Sequence, residues 1–343
     1  MSKTTLAIAI AAATATLAVA PAMARDINAV TSLQQTNTIA RSFITTFVGA
    51  VNNAKGPVTI NYVGGQEVVP PRKAANALKR GQFDMLCSPT AYYIGTVPEG
   101  YALLAANQGP AALRKSGAWE ILQEVYAKKA GAHLLAWGEN MTSYNMYLAK
   151  KPKMKDGIPD LTGVKMRATG TYRPLFRALG GSTINIKSSE IFTAMQRGTV
   201  EGFGFTDVSF VPLGFHQVAK YRVTPNFYQT NQVVTVNAAI WKSLSKAEQG
   251  FLTAQAIKYE TESVKWVEVE RQKEDKQVKA AGVVDIALKG AAAAKYLDIA
   301  HSEIWKELKK RSKYHDQLRP LMYVPGKPNR QVDLSAAKAR LRQ

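Results

Sequence analysis

From Ser245 to about Ala280 nothing interrupts a helix, and that run constrains the fold more than any other. Ser245-Lys246-Ala247-Glu248 is a capping box, with Ser245 as N-cap and Glu248 reaching back to its amide. Roughly 36 residues at about 1.5 Å each give a rod of about 54 Å, too long to lie on one small lobe. A coiled coil is the alternative, but no heptad seam is sustained along the run. A helix bracing two bodies accounts for the length better.

The remainder supplies those two bodies. Residues Thr38 to Val51 place Ile39, Phe43, Phe47 and Val51 four apart, the core stripe of an amphipathic helix. Strand candidates DINAVTSL, VTINYV (58–63) and FDMLC (83–87) alternate with that helix and with another over Arg72–Arg80. This βαβαβ order predicts a parallel α/β sheet. A helix over Gly117–Lys129, strand HLLAW (133–137) and a possible strand in Asn140–Leu148 follow. The loop KKPKMKDGIPD (150–160), rich in Lys, Gly and Pro, is the expected first crossing between lobes. VKMRA (164–168) opens the second lobe, and VVTVNAAI (233–240) carries the chain back. The expected division is 25–149 with about 236–280 as the first lobe and 150–235 with about 281–323 as the second. Residues 324–343 form a basic tail.

The first 24 residues read as a secretory signal. Lys3 is its positive start, Leu6 to Ala20 its apolar stretch, and Ala22-Met23-Ala24 its cleavage site. A membrane anchor fits less well, because the run is shorter than the roughly 20 residues of a span and ends at Pro21. The mature chain is therefore expected in the periplasm, cleaved after Ala24.

Cys87 is the only cysteine, so no internal disulfide can form, and its apolar surroundings suit a small buried side chain. The formal charge of +20 stays near that value once Lys3 leaves. It suits a solvated basic surface with mild attraction for anions. No aromatic-interleaved recognition motif accompanies it, so no nucleic acid is expected. His133, His216, His301 and His315 lack ligand spacing; neither a metal nor a cofactor is expected. No G-x-S-x-G, H-E-x-x-H or phosphate-binding glycine loop is present. An exported hydrolase with an unrecognised site is thus the weaker alternative, and a ligand-binding partner of a sensor is another.

Residues 161–202 carry the functional signal. Arg167 ends a strand among apolar residues, at the edge where open α/β sheets bind ligands. Its planar fork matches a carboxylate, although an internal salt bridge would also explain it. The phrase Asp160-Leu161-Thr162-Gly163-Val164-Lys165-Met166-Arg167-Ala168-Thr169-Gly170, followed by Ala178-Leu179-Gly180 and Ser189 through Gly202, resembles solute-binding proteins of TRAP (tripartite ATP-independent periplasmic) transporters, dicarboxylate-binding type. Weaker similarity covers nearly the whole mature chain.

The resemblance implies a two-lobed α/β periplasmic-binding-protein-like fold with a ligand cleft, and Arg167 clamping an organic carboxylate. It also implies delivery to integral membrane subunits driven by an ion gradient. The protein would be a carrier, not an enzyme, and is expected to be a monomer. Two departures bear on the ligand. Where the family has a polar segment whose asparagine helps hold the carboxylate, this chain has Phe203-Gly204-Phe205-Thr206-Asp207. Both rings can face one side of a strand, either in the core or on the pocket. A second family arginine corresponds to Ser143, which argues against two widely spaced carboxylates and towards a bulky or aromatic monocarboxylate. Further lining candidates are Ser88, Tyr92, Gln66, Glu67, Trp137, Tyr144, Tyr172 and Tyr228. Glu190 is expected to cap a helix rather than touch ligand.

Overall fold

The computed structural model describes residues 24–324. Apart from their inner end residues, the leader over 1–24 and the tail over 324–343 lie outside the described residues. Two sheets form two lobes. The first has the order β2-β1-β3-β12-β4, from Val58–Gly64 (β2), Arg25–Thr31 (β1), Met85–Pro89 (β3), Gln232–Asn237 (β12) and Ala132–Trp137 (β4). The second has the order β13-β11-β5-β10-β8-β9. Its strands are Val284–Ala287 (β13), Tyr221–Phe227 (β11), Tyr144–Leu148 (β5), Gly202–Thr206 (β10), Lys165–Arg167 (β8) and Ser182–Ile184 (β9).

β1 pairs parallel with β2 and β3, as the βαβαβ order predicts, but β12 runs antiparallel to β3 and β4. In the second sheet β5 is the strand opposed to its neighbours β10 and β11. Both reversed strands are the ones through which the chain arrives from the other lobe. The parallel strands point their C-terminal ends at the cleft, so a strand entered from the cleft must run away from it.

This connectivity differs from the sequence reading at three places. Tyr144–Leu148 belongs to the second sheet, so the first crossing is 138–143. The Lys/Gly/Pro loop folds instead as a hairpin of Lys153–Lys155 (β6) and Ile158–Asp160 (β7). Its Asp156-Gly157 turn takes positive φ at both residues, the conformation a two-residue hairpin demands. The return crossing ends at Gln232, a few residues before the expected boundary. Finally, the helix His315–Met322 packs on helices Gly100–Ala105, Pro110–Ser116 and Ala118–Val125 of the first lobe. The preceding helix Gly290–Arg311 touches both Gly100–Ala105 and Arg173–Ala178. The C-terminal segment straddles the lobes.

The stripe Ile39, Phe43, Phe47 and Val51 is buried as its spacing requires. The long helix spans Lys246–Ala280, and its capping box is formed: Ser245 Oγ accepts from the Glu248 amide at 3.2 Å and Glu248 Oε2 from the Ser245 amide at 2.6 Å. Its first half buries Leu252, Ala256 and Tyr259 against the first lobe. Its second half holds the other lobe: Glu274 accepts from the Ser209 and Val211 amides, and Asp275 pairs with Arg222 at 2.9 Å. Ser245→Ala should lower the denaturation midpoint by the equivalent of about 1 kcal/mol, read in a urea titration.

Candidate functional site

Arg167 reaches the cleft because β8 is short and begins on a tight turn. Gly163 takes φ 81°, which a side chain would strain, and the Val164 amide closes the turn onto the Leu161 carbonyl at 2.8 Å. β8 then pairs with β10 so that Arg167 sits opposite Phe203. Arg167 is 2 % exposed. Its Nε donates to the Ile186 carbonyl at 2.9 Å and its Nη1 to the Gly204 carbonyl at 3.2 Å, while Nη2 has no hydrogen-bond partner among the described residues. No carboxylate among the described residues lies within ion-pair distance of it. Its charge lies 6.0 Å from the Tyr172 ring centroid. Gly204 matters here for space as well: a Cβ would come within 2.9 Å of Tyr172 and 3.1 Å of Phe176. The missing side chain lets that aromatic pair close over β10.

Arg167 lines a cavity of about 50 Å³ between the two sheets. Tyr92, Tyr144, Tyr172 and Phe205 from the sequence-based set line it too. Burial pushes the phenols of Tyr92 and Tyr144 up, so both are neutral hydroxyls at physiological pH. Tyr92 Oη reaches Ser188 Oγ across the cleft at 3.5 Å, and Tyr101 Oη donates to the Gly170 carbonyl at 3.1 Å. The lobes are thus closed on each other.

The other candidates do not line this cavity. Ser88 is buried on β3 and donates to the Pro89 carbonyl. Glu67 caps its own turn, accepting from the Gly65 amide at 2.6 Å, which holds its carboxyl below the usual range; Gln66 lies in that turn. Trp137 is buried with its indole N–H on the Thr230 carbonyl at 2.7 Å. Tyr228 donates to the Ala300 carbonyl at 3.0 Å. Phe203 and Phe205 do face one side of β10, each 5.0 Å from the Phe215 ring centroid. Phe203 packs inward against Tyr147, however, and only Phe205 reaches the cavity. Glu190 makes no capping bond and instead pairs with Lys187 at 3.5 Å.

Sequence reasoning missed Gln232, Thr169 and Ser188, which also line the cavity. Gln232 is fully buried, its Nε2 donates to Cys87 Sγ at 3.1 Å, and its Oε1 has no protein partner among the described residues. Its position one residue before a β-prone run was the available signal. Among the described residues no group of three or more His, Cys, Asp or Glu is placed to hold a metal ion. No helix among them is long and apolar enough to cross a membrane.

Two α/β lobes joined by crossing segments, braced by one long helix and closed over a buried cation, define the architecture of a solute-binding protein. The chain belongs to the bacterial extracellular solute-binding proteins of family 7, whose pattern it matches over residues 30–311. It is a binding protein, not an enzyme. A solute-binding protein from Albidiferax ferrireducens is 22% identical over 271 residues, spanning 74% of this chain and 76% of that one. The fold is shared with a TRAP transporter solute-binding protein from Bordetella bronchiseptica, solved with copurified calcium and picolinate. That structure is 20% identical with TM-score 0.75, covering 87% of this chain and 90% of that one. A TRAP periplasmic protein from Rhodoferax ferrireducens with bound malonate is similar at 18% identity and TM-score 0.72, covering 86% and 96%.

Proposed function

We propose that the protein captures a small organic monocarboxylate in the periplasm and delivers it to the membrane subunits of a TRAP-type transporter. The observation that carries this reading is Arg167, a buried guanidinium facing the inter-lobe cavity with no acidic partner among the described residues. A charge held that way is costly unless something pairs with it. Since Nε is committed to Ile186, a carboxylate would approach end-on across Nη1 and Nη2.

Tyr92, Tyr144, Tyr172 and Phe205 would cover the ligand's apolar or flat body, and Gln232 Oε1 would accept from a ligand hydroxyl or N–H. Ser143, buried in the first crossing where a second arginine would stand, leaves no counterpart for a distant second carboxylate. With lobes this closed, entry requires them to part at 138–143 and 228–231, a hinge motion. Export with cleavage after Ala24 would place the protein where such a transporter works.

A micromolar affinity needs about 8 kcal/mol, within reach of one buried charge-assisted pair plus apolar burial. The experiment is a thermal-shift screen of organic acids, each paired with its uncharged amide. A true ligand at 100 times its Kd adds about 2.7 kcal/mol of stability. Acids should raise the melting temperature and their amides should not. Equal shifts from both members of a pair would refute a carboxylate clamp.

A further inference from the structure

Outside the Arg167 cavity lies a second, larger one of about 360 Å³, sharing Ala91 and Tyr92 with it. Four arginines line it, from three elements and both lobes. Arg72 opens the helix Pro71–Lys79 of the first lobe, and Arg173 and Arg177 stand one turn apart on Arg173–Ala178 of the second. Arg311 ends the helix that straddles them. The one acid in the lining, Glu307, is already engaged by Lys310 and Arg311, each at 3.2 Å. Arg72 donates to the Asn185 amide oxygen at 2.6 Å, joining the lobes across the chamber wall. Arg173 and Arg177 have neither an ion-pair nor a side-chain hydrogen-bond partner among the described residues.

We propose that this chamber is a second anion site, taking a compact multivalent oxyanion that bridges the two lobes. Four guanidiniums present far more donors than one carboxylate can use, and planar forks match carboxylate and phosphate oxygens equally well. The inner cavity is small and walled by rings, with a single cation; the outer one is several times larger and surrounded by cations. Their chemistries call for different anions. An anion held between Arg72 on one lobe and Arg173 and Arg177 on the other also favours the closed arrangement, because opening separates its partners. The inference stands whether or not Arg167 holds a carboxylate.

Calorimetric titration of the Arg167→Ala protein at low salt tests it, with citrate and pyrophosphate as separate probes. One equivalent of either should bind, weakening as salt rises, and the tighter of the two identifies a polycarboxylate or a phosphate source. The double substitution Arg173→Gln/Arg177→Gln should weaken that binding at least about tenfold, or about 1.4 kcal/mol. If Arg167→Ala does not fold, the double variant is compared with the wild-type chain instead. Failure of both probes to bind, or binding that the double variant leaves unchanged, would overturn the proposal.

Discussion

Arg167→Ala should weaken binding of every organic acid the protein accepts by at least about 100-fold, and Arg167→Lys should recover little of it. Truncating one partner of a buried, hydrogen-bonded charge pair costs about 2 to 5 kcal/mol, roughly 30-fold to several thousand-fold. This guanidinium belongs near the upper end. Its Nε and Nη1 are pinned by the Ile186 and Gly204 carbonyls at 2.9 and 3.2 Å, so the remaining donors are held in place before ligand arrives. A lysine ammonium gathers its three donors on one atom, so it lacks the spread fork that meets the Ile186 and Gly204 carbonyls and still presents paired donors to a ligand. The fold should survive the change. Two backbone carbonyls lose their partners, yet a buried cation without an acidic neighbour is removed at the same time, and the two effects oppose each other. Calorimetry with the strongest acid from the thermal screen reads the affinity, and far-UV circular dichroism checks the fold. Undiminished binding by a folded Arg167→Ala protein would remove Arg167 from the site.

That Arg167 was legible as a strand-end residue while other placements were not has one physical explanation. Local signals were legible where a short stretch decides its own structure. The capping box fixed the start of the 35-residue helix, the four-residue spacing identified the buried face of 38–51, and an arginine among apolar residues marked a strand end. What stayed hidden was decided by partners distant in sequence. Tyr144–Leu148 is as apolar as a first-lobe strand would be, and only its pairing with β10 and β11 assigns it to the other sheet. Phe203 and Phe205 alternate identically, and the packing of Tyr147 against Phe203 separates a core ring from a cavity ring. Gln232 had only its place one residue before a β-prone run to mark it, because the cavity beside it is lined from both lobes, by Leu33 and Pro89 of the first and Arg167 and Phe205 of the second.

Between pH 6 and pH 9 the protein should lose stability, and Glu139→Gln should remove much of that slope. Glu139 lies in the first crossing, fully buried and at φ 43°. Its backbone N–H donates to Ser263 Oγ at 3.0 Å, and Tyr259 Oη donates to its two carboxyl oxygens at 2.9 and 3.0 Å. No cation among the described residues is within ion-pair distance. Burial therefore outweighs the Tyr259 hydrogen bond and pushes the carboxyl up to about 8. Cys87 and Tyr259 beside it are pushed up too, so neither supplies compensating charge near neutrality. The unfolded carboxyl ionises near 4.5, so between that pH and about 8 the native state holds a proton that the unfolded chain has released. Stability falls with pH wherever the native state binds more protons. The contribution is whole below the unfolded value and is gone once pH passes the folded one. From pH 6 upward the remaining loss is about 2 to 3 kcal/mol. Asp207, pushed up to about 7 by burial, adds a smaller decline of the same sign. Glutamine keeps the shape and an acceptor for Tyr259 but cannot ionise. Urea midpoints at pH 6, 7, 8 and 9 should therefore fall steeply for the wild-type chain and only shallowly for Glu139→Gln. Parallel slopes would mean that Glu139 does not carry the pH dependence.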